Sequence, residues 1–362
     1  MDQMTQQPLP YTPEVEAKTA QLYPRVAHVI PEFEWEAHAP YIAAINDLKA
    51  ERNAVILAHN YMTPEIFNCV GDFTGDSLQL AREAARTDAD IIVQAGVHFM
   101  AETSKILCPD KTVLIPDPEA GCSLAASITG EDVRQLRKKH PGAPVVSYVN
   151  TTADVKAETD ICCTSSNAVE VVEYAARAFG SDTVIMLPDQ YLARNVAAVT
   201  DVNIVTWAGA CEVHERFQAR DIRLLREGHD ELVVLAHPEC PPDVIAEADF
   251  TGSTSGMNQY VRENQPQNIA LITECSMSDN VAVENPAVNV IRPCNLCPYM
   301  KMITLPGILD SLIELRVEVE IPEFLIERAR GAIERMIELP LSGQSSYRPR
   351  SITNPVRLEA RG

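Results

Sequence analysis

AVILAHNY (54–61) is a run of apolar residues that stops at histidine, asparagine and tyrosine. Two later segments repeat its shape: PVVSYVNT (144–151) and LVVLAHPE (232–239). Each is short, rich in β-branched residues and closed by a polar cluster, the pattern of a parallel strand buried on both faces. His59, Tyr148 and His237 hold matching places, and the steps 148 − 59 and 237 − 148 are both 89. A self-similar period of that kind marks one fold unit used repeatedly.

Two further sets keep the period. FTGDSLQLA (73–81), CTSSNAVEV (163–171) and TGSTSGMNQ (251–259) carry small hydroxyl residues at expected helix starts, with Asp76, Ser165 and Thr254 again 89 apart. LQLAREAA and NAVEVVEYAARAFG then place apolar residues at helical spacing, the second stopping at Gly180. KTVLIPDPEAGCS (111–123), VNIVTWAGACEV (202–213) and VNVIRPCNLCPY (288–299) read as short strands running into a loop with a cysteine. Cys122 to Cys211 is 89 residues and Cys211 to Cys297 is 86, so each copy delivers one cysteine at one equivalent loop.

Between these lie the strand candidates ADIIVQAG, DTVIMLP and NIALITE. Strands alternating with helices imply parallel sheets covered on both faces. The expected fold is α/β: three pseudo-three-fold related αβα domains around a central active site at the strand carboxyl ends. The expected division is an N-terminal extension (1–40), repeat 1 (41–127, with Cys122) and repeat 2 (128–216, with Cys211). Repeat 3 with a C-terminal helix (217–340, with Cys297) and a polar, loosely held tail (341–362) follow. PEFLIERARGAIERMIEL (322–339) reads as that helix, starting near Pro322.

The bulk numbers narrow the partners. A formal charge of −21 over 362 residues argues against nucleic-acid backbones and anionic membranes. No run of about 18 apolar residues offers a membrane span. The start, MDQMTQQPLPYTPEVE, lacks the basic and apolar regions of a signal peptide, so the chain is read as cytoplasmic. Ten cysteines in a reducing compartment then need a reason other than disulfides. Most are expected to be small buried hydrophobes.

Three cysteines from three loops leave a structural zinc site one ligand short. On a 4Fe–4S cluster they leave one iron without a protein ligand, free to take substrate oxygens as a Lewis acid. An electron-relay cluster normally fills all four positions with cysteine, so the count of three favours chemistry. A radical-type CxxxCxxC fails at Val290, no second CxxC completes a two-knuckle zinc site, and the adjacent Cys162 and Cys163 are poorly spaced as ligands. Cys294 has no counterpart in the other copies and is read as an accessory thiol; Cys69, Cys108, Cys162, Cys163, Cys240 and Cys275 are read as packing.

Taken in order, AHNY (58–61), GDSLQLA (75–81), FMAE (99–102), EAGCSLA (119–125), YVNTTADVKAETDICCTSSNAVEVV (148–172), GACEVH (209–214), HPECP (237–241), GSTSGM (252–257) and CPYMKMITL (297–305) closely resemble quinolinate synthase, the iron–sulfur family of pyridine nucleotide synthesis. The resemblance implies three αβα domains about a pseudo-three-fold axis. It implies condensation of iminoaspartate with dihydroxyacetone phosphate to quinolinate, with loss of phosphate and two waters. It also implies a 4Fe–4S cluster on Cys122, Cys211 and Cys297, and substrate contacts from His59, Ser77, Tyr148, Asn150, Ser165, His237, Glu239 and Thr254, with Tyr61 nearby. The partners so implied are the two small substrates and an enzyme supplying iminoaspartate, with the chain a monomer or homodimer. The chain departs from the family at Ile291, where many relatives have another cysteine, at Tyr191 within PDQYL, and at Pro306.

Such a reaction needs acid–base groups within reach of the reacting carbons. Glu239 is the first candidate, with His237, Tyr148 and Tyr61 as further catalytic candidates. The ordinary alternatives are an N-cap or a salt bridge for Glu239, core packing for the histidines, aromatic packing for the tyrosines, a turn for Asn150, and simple helix capping for Ser77, Ser165 and Thr254. Two other functions compete: a zinc hydrolase on three cysteines, and a non-catalytic iron or oxygen sensor.

Overall fold

The computed structural model describes residues 8–339, Tyr347 and 356–360. The first run is strand β1 (Ala54–His59), followed by β2 (Phe73–Gly75), β3 (Ile91–Ala95) and β4 (Thr112–Leu114). The second copy is β5 (Val145–Tyr148), β6 (Ile161–Cys163), β7 (Thr183–Leu187) and β8 (Asn203–Trp207). The third is β9 (Leu232–Ala236), β10 (Phe250–Thr251), β11 (Asn268–Ile272) and β12 (Asn289–Ile291). Three sheets result, ordered β2-β1-β3-β4, β6-β5-β7-β8 and β10-β9-β11-β12. Every pairing is parallel; Ala58, for example, sits opposite Thr74 and Ala95. The fold is therefore α/β with one topology used three times. The strands are near-continuous apolar runs because helices cover both faces: β5 is buried at every residue and β1 at all but Val55.

The helices obey local rules. Helix Ser77–Arg86 begins with a capping box, Asp76 accepting from the amides of Leu78 and Gln79 while the Gln79 side chain returns to the Asp76 amide. Helix Ala168–Phe179 ends at Gly180, whose φ of 61° suits a residue without Cβ. Helix Glu323–Glu338 begins after Pro322 and packs on β6 and on helices His98–Leu107 and Ala153–Lys156. Helix Glu32–Glu51 runs unbroken across residue 40 and packs on helix Leu305–Glu314.

The three sheets meet in a cycle. Helix His98–Leu107, after β3, contacts helix Ala153–Lys156, after β5. Helix Gln190–Ala197, after β7, contacts helix Pro242–Ile245, after β9. Helix Cys275–Glu284, after β11, contacts helix Pro64–Cys69, after β1, and closes the ring.

One expectation is corrected. The tail is only partly within the described residues, and what is described there is held. Val356–Glu359 forms β13, which adds to β8 with Val356 opposite Ile204. Tyr347 is buried and its hydroxyl donates to the Ser165 carbonyl at 2.7 Å. β13 covers the otherwise unpaired backbone edge of β8, and Glu359 is fixed by Lys139 at 3.0 Å. Among the described residues no helix is long and apolar enough to cross a membrane.

Candidate active site

The carboxyl ends of the strands open on one cavity, and every candidate catalytic, substrate-binding and cluster residue named above lines it. His59 and Tyr148 end β1 and β5, and His237 follows β9. The cysteines lie in the loops after β4, β8 and β12.

The three loops after β1, β5 and β9 share a device. One side-chain nitrogen binds two carbonyls and holds each loop open toward the cavity. Asn280 Nδ2 donates to Asn60 O (3.1 Å) and Met62 O (2.8 Å). Asn195 Nδ2 donates to Pro238 O (2.8 Å) and Cys240 O (3.0 Å). In the second copy the fully buried Lys156 donates to Val149 O (2.9 Å) and Thr151 O. The residue between the paired carbonyls is Tyr61, Glu239 or Asn150, and these too are 89 apart (150 − 61 and 239 − 150).

His59 Nδ1 accepts the Tyr61 amide hydrogen at 3.2 Å, and His237 Nδ1 accepts that of Glu239 at 3.4 Å. An imidazole accepting at Nδ1 carries its proton on Nε2; in His237 that atom is 3.2 Å from Ser165 Oγ. Burial lowers the pKa of His59 to about 4 and of His237 to about 3, so both rings are neutral near pH 7. Histidine in an unfolded chain titrates near 6.5, so between about pH 6.5 and 4 the unfolded chain binds more protons and stability falls as pH falls. Each ring is expected to cost on the order of 2 kcal/mol at pH 5 relative to pH 8. Urea unfolding across this range measures it; a flat profile would show that the rings are not held neutral.

Glu239 is the centre of the polar network. It lies past the end of β9, and Pro241, not Glu239, caps the next helix. Tyr148 Oη donates to Glu239 Oε1 at 2.5 Å, and His214 Nδ1 lies 2.7 Å from Oε2. Burial works to raise this carboxyl, but the adjacent His214 and His237 and the hydrogen bonds from His214 and Tyr148 outweigh it and hold it well below the usual range. Burial and the charge of Glu239 push the phenols of Tyr148 and Tyr61 far up, so both stay protonated. Tyr61 Oη is 2.6 Å from Thr273 Oγ1, which is 2.9 Å from His214 Nε2. One set of protons satisfies every atom: Tyr61 donates to Thr273, Thr273 to His214 and His214 to Glu239.

Each cysteine has the same backbone setting. Cys122 sulfur faces the amides of Leu124 and Ala125, Cys211 those of Val213 and His214, and Cys297 those of Tyr299 and Met300. In every case these are the second and third residues onward. Burial raises all three thiols, Cys122 to about 12, and Cys297 adds to the rise at Cys122 as Cys122 does at Cys211. The loops are braced further. Cys211 N–H donates to buried Asp189 (3.1 Å), and Cys297 N–H to fully buried Glu274 (3.3 Å), which Lys301 Nζ neutralises at 3.0 Å. Ser123 ties the first two loops together, donating to Ala210 O and accepting from the Glu212 amide, both at 3.2 Å. Cys211 Sγ, His214 Nδ1 and a Glu239 oxygen lie within 4.8 Å of one another, a candidate metal-binding group.

Two readings of single residues change, and the capping alternative for the hydroxyls falls away. Cys294 and Cys275, read as accessory and packing thiols, form a disulfide with Cα atoms 4.9 Å apart. It pins the loop of Cys297 to the start of helix Cys275–Glu284. Capping does not explain the hydroxyls: Asp76 and Ser253 are the caps, and Ser77 and Thr254 are the first helical residues. Ser165 lies before the start of its helix, whose N-cap is Asn167. Thr254 Oγ1 instead accepts from Asn60 Nδ2 at 2.8 Å. Asn150 Oδ1 is buried without a partner. The sequence reading assigned nothing to His214, Thr273, Glu274 or Lys301. The Cys-x-x-His spacing of Cys211 and His214 is a local signal for His214 alone.

The profile of the family described as "Quinolinate synthetase A protein" matches residues 43–338. The "Quinolinate synthase" of Caulobacter vibrioides (strain NA1000 / CB15N) is 60% identical over 330 residues, 91% of this chain and 90% of that protein. That of Sinorhizobium fredii (strain NBRC 101917 / NGR234) is 59% identical over 331 residues, 91% of each. "Quinolinate synthase 1" of Mesorhizobium japonicum (strain LMG 29417 / CECT 9101 / MAFF 303099) is 62% identical over 319 residues, 88% of this chain and 97% of that protein. A profile running from the first repeat to the end of the helix Glu323–Glu338, and relatives alike along nearly their whole length, lead to one conclusion: the chain belongs to the quinolinate synthetase A protein family.

Proposed function

We propose that this enzyme condenses iminoaspartate with dihydroxyacetone phosphate and closes the ring of quinolinate, releasing phosphate and two waters, with a 4Fe–4S cluster held by Cys122, Cys211 and Cys297. The observation that carries it is the threefold cysteine setting: one free thiol per sheet, each facing two amide hydrogens, around a cavity that also holds Glu239. Thiols raised by burial and by one another ionise together only around a cation, and amide donors suit cluster-bearing sulfurs. When bound, the cluster supplies an iron without a protein ligand as a Lewis acid for a substrate hydroxyl.

The chain's own groups account for the rest. Among the described lining residues there is no lysine or arginine. Substrate carboxylates and phosphate are therefore met by helix starts, hydroxyls and Nε2 hydrogens. Ser77 and Thr254 open helices Ser77–Arg86 and Thr254–Asn264, whose first amides and dipoles favour anions. Ser165, with His237, and His59 offer further donors. Ionised Glu239 is poised to take a proton from carbon, with Tyr148 and Tyr61 as donors to departing oxygen. Asn150 Oδ1 accepts from the imine N–H or a triose hydroxyl. Asn150→Ala is expected to raise a substrate KM roughly tenfold with a smaller change in kcat; steady-state kinetics with each substrate varied would settle it, and unchanged constants would remove Asn150 from the site.

The test is quinolinate formation from the two substrates by anaerobically purified protein, with iron and acid-labile sulfide measured on the same sample. About four of each per chain and quinolinate are expected. Zinc without sulfide, and no quinolinate, would overturn the reading. A partner enzyme supplying iminoaspartate belongs to the same proposal.

A further inference from the structure

We infer that the cluster-free protein carries a second kind of metal site: one divalent transition-metal ion, zinc-like in preference, held by Cys211 Sγ, His214 Nδ1 and Glu239 Oε2, without Cys122 or Cys297. This does not rest on the cluster reading. His214 Nδ1 is 3.1 Å from Cys211 Sγ and 2.7 Å from Glu239 Oε2, so two donors from the segment after β8 and one from the loop after β9 point at one place. Ligand atoms around a tetrahedral zinc stand roughly 3.3–3.8 Å apart, as bond lengths of about 2.0–2.3 Å require, so shifts of under about 1 Å admit the ion.

The outer shell is already built. A metal-bound histidine normally gives its other N–H to an oxygen; an ion on Nδ1 would displace the proton there, and His214 Nε2, 2.9 Å from Thr273 Oγ1, would then donate to that hydroxyl instead of accepting from it. Glu239 Oε1 accepts from Tyr148 at 2.5 Å, and Cys211 sulfur from the Val213 and His214 amides. Each ligand is thus held by the atom that the ion would not use. His214 and Glu239 are also 1% and 3% exposed. A thiolate and a carboxylate buried together need two positive charges nearby; a single divalent ion supplies both, whereas a proton on His214 supplies one. The fourth position faces the cavity, the arrangement of an open zinc site. Because Cys211 is common to both, the ion and the cluster exclude each other, and the ion would occupy the protein before cluster assembly.

The experiment is anaerobic Co²⁺ titration of the cluster-free full chain, followed by visible absorption, with Zn²⁺ displacement. Wild type is expected to bind one ion with tetrahedral d–d bands and thiolate charge transfer. Cys122→Ser and Cys297→Ser should keep these bands. His214→Ala and Glu239→Gln should weaken binding more than about tenfold, with wild-type far-UV circular dichroism; if the alanine variant does not fold, the isosteric glutamine variant decides. Absence of bands in wild type overturns the inference. So does their loss in Cys122→Ser and Cys297→Ser, which would place the ion on the three cysteines, and so does wild-type affinity in Glu239→Gln.

Discussion

Serine at any one of Cys122, Cys211 or Cys297 is expected to reduce quinolinate formation more than about a thousandfold and to remove most iron and sulfide, while the chain stays folded. The three positions should be equivalent because their settings are: each sulfur lies in a loop after the fourth strand of a sheet and faces the amides two and three residues on. Folding should survive because the hydroxyl can accept from the same amides and each residue is only half-buried. Serine at buried Cys69, Cys108, Cys162, Cys163 or Cys240 should leave the metal content unchanged. Iron and sulfide analysis with turnover on the same samples is the check. A triad variant retaining full metal and activity would mean that its cysteine is not a ligand.

Glu239→Gln carries the second largest expected effect, a fall in kcat of about 10²–10⁴ at nearly unchanged shape. The carboxylate accepts from Tyr148 and faces His214 Nδ1, and its charge acts more strongly on both phenols than any other. An amide has one oxygen, so one of the two donors must face its NH₂ group, a mismatch that costs about 1–3 kcal/mol at a buried position. The kinetic and stability effects can be separated. Tyr148→Phe removes one donor and leaves the charge, so it should lose far less rate. Comparable losses in the two variants would assign Glu239 a positioning role and remove it as the base.

The fold was legible because the repeat is written in the residues that physics constrains most. β1, β5 and β9 must be apolar along their length, and the polar residues at their ends must face the cavity, so His59, Tyr148 and His237 keep step. The cysteines keep nearly the same step, 89 and then 86 residues, at loops that must converge. What stayed hidden was settled by contacts between copies. His214 matters because it meets Glu239 and Thr273 from another sheet. Cys275 and Cys294 sit in one copy with no counterparts to compare. β13 is four residues, Val-Arg-Leu-Glu, whose partner strand lies some 150 positions earlier, too short and too polar a segment to announce pairing. Lys156 was hidden for a different reason: Asn195 and Asn280 reach in from a neighbouring copy, whereas Lys156 belongs to the copy whose loop it clamps, so the clamp recurs without its residue type or its position.

The ring closes with Asn280 reaching back to the carbonyls of Asn60 and Met62. A chain emerging from the ribosome exposes its first copy early, and N-terminal units fold first. Tyr61 nevertheless has no fixed loop until residue 280 is out, and the third thiol follows at 297. Lys301, which holds the Tyr61 carbonyl at 3.0 Å, comes later still. Two thirds of the nascent chain therefore present two of the three cavity cysteines and no finished pocket, which closes only when the last unit docks on the first.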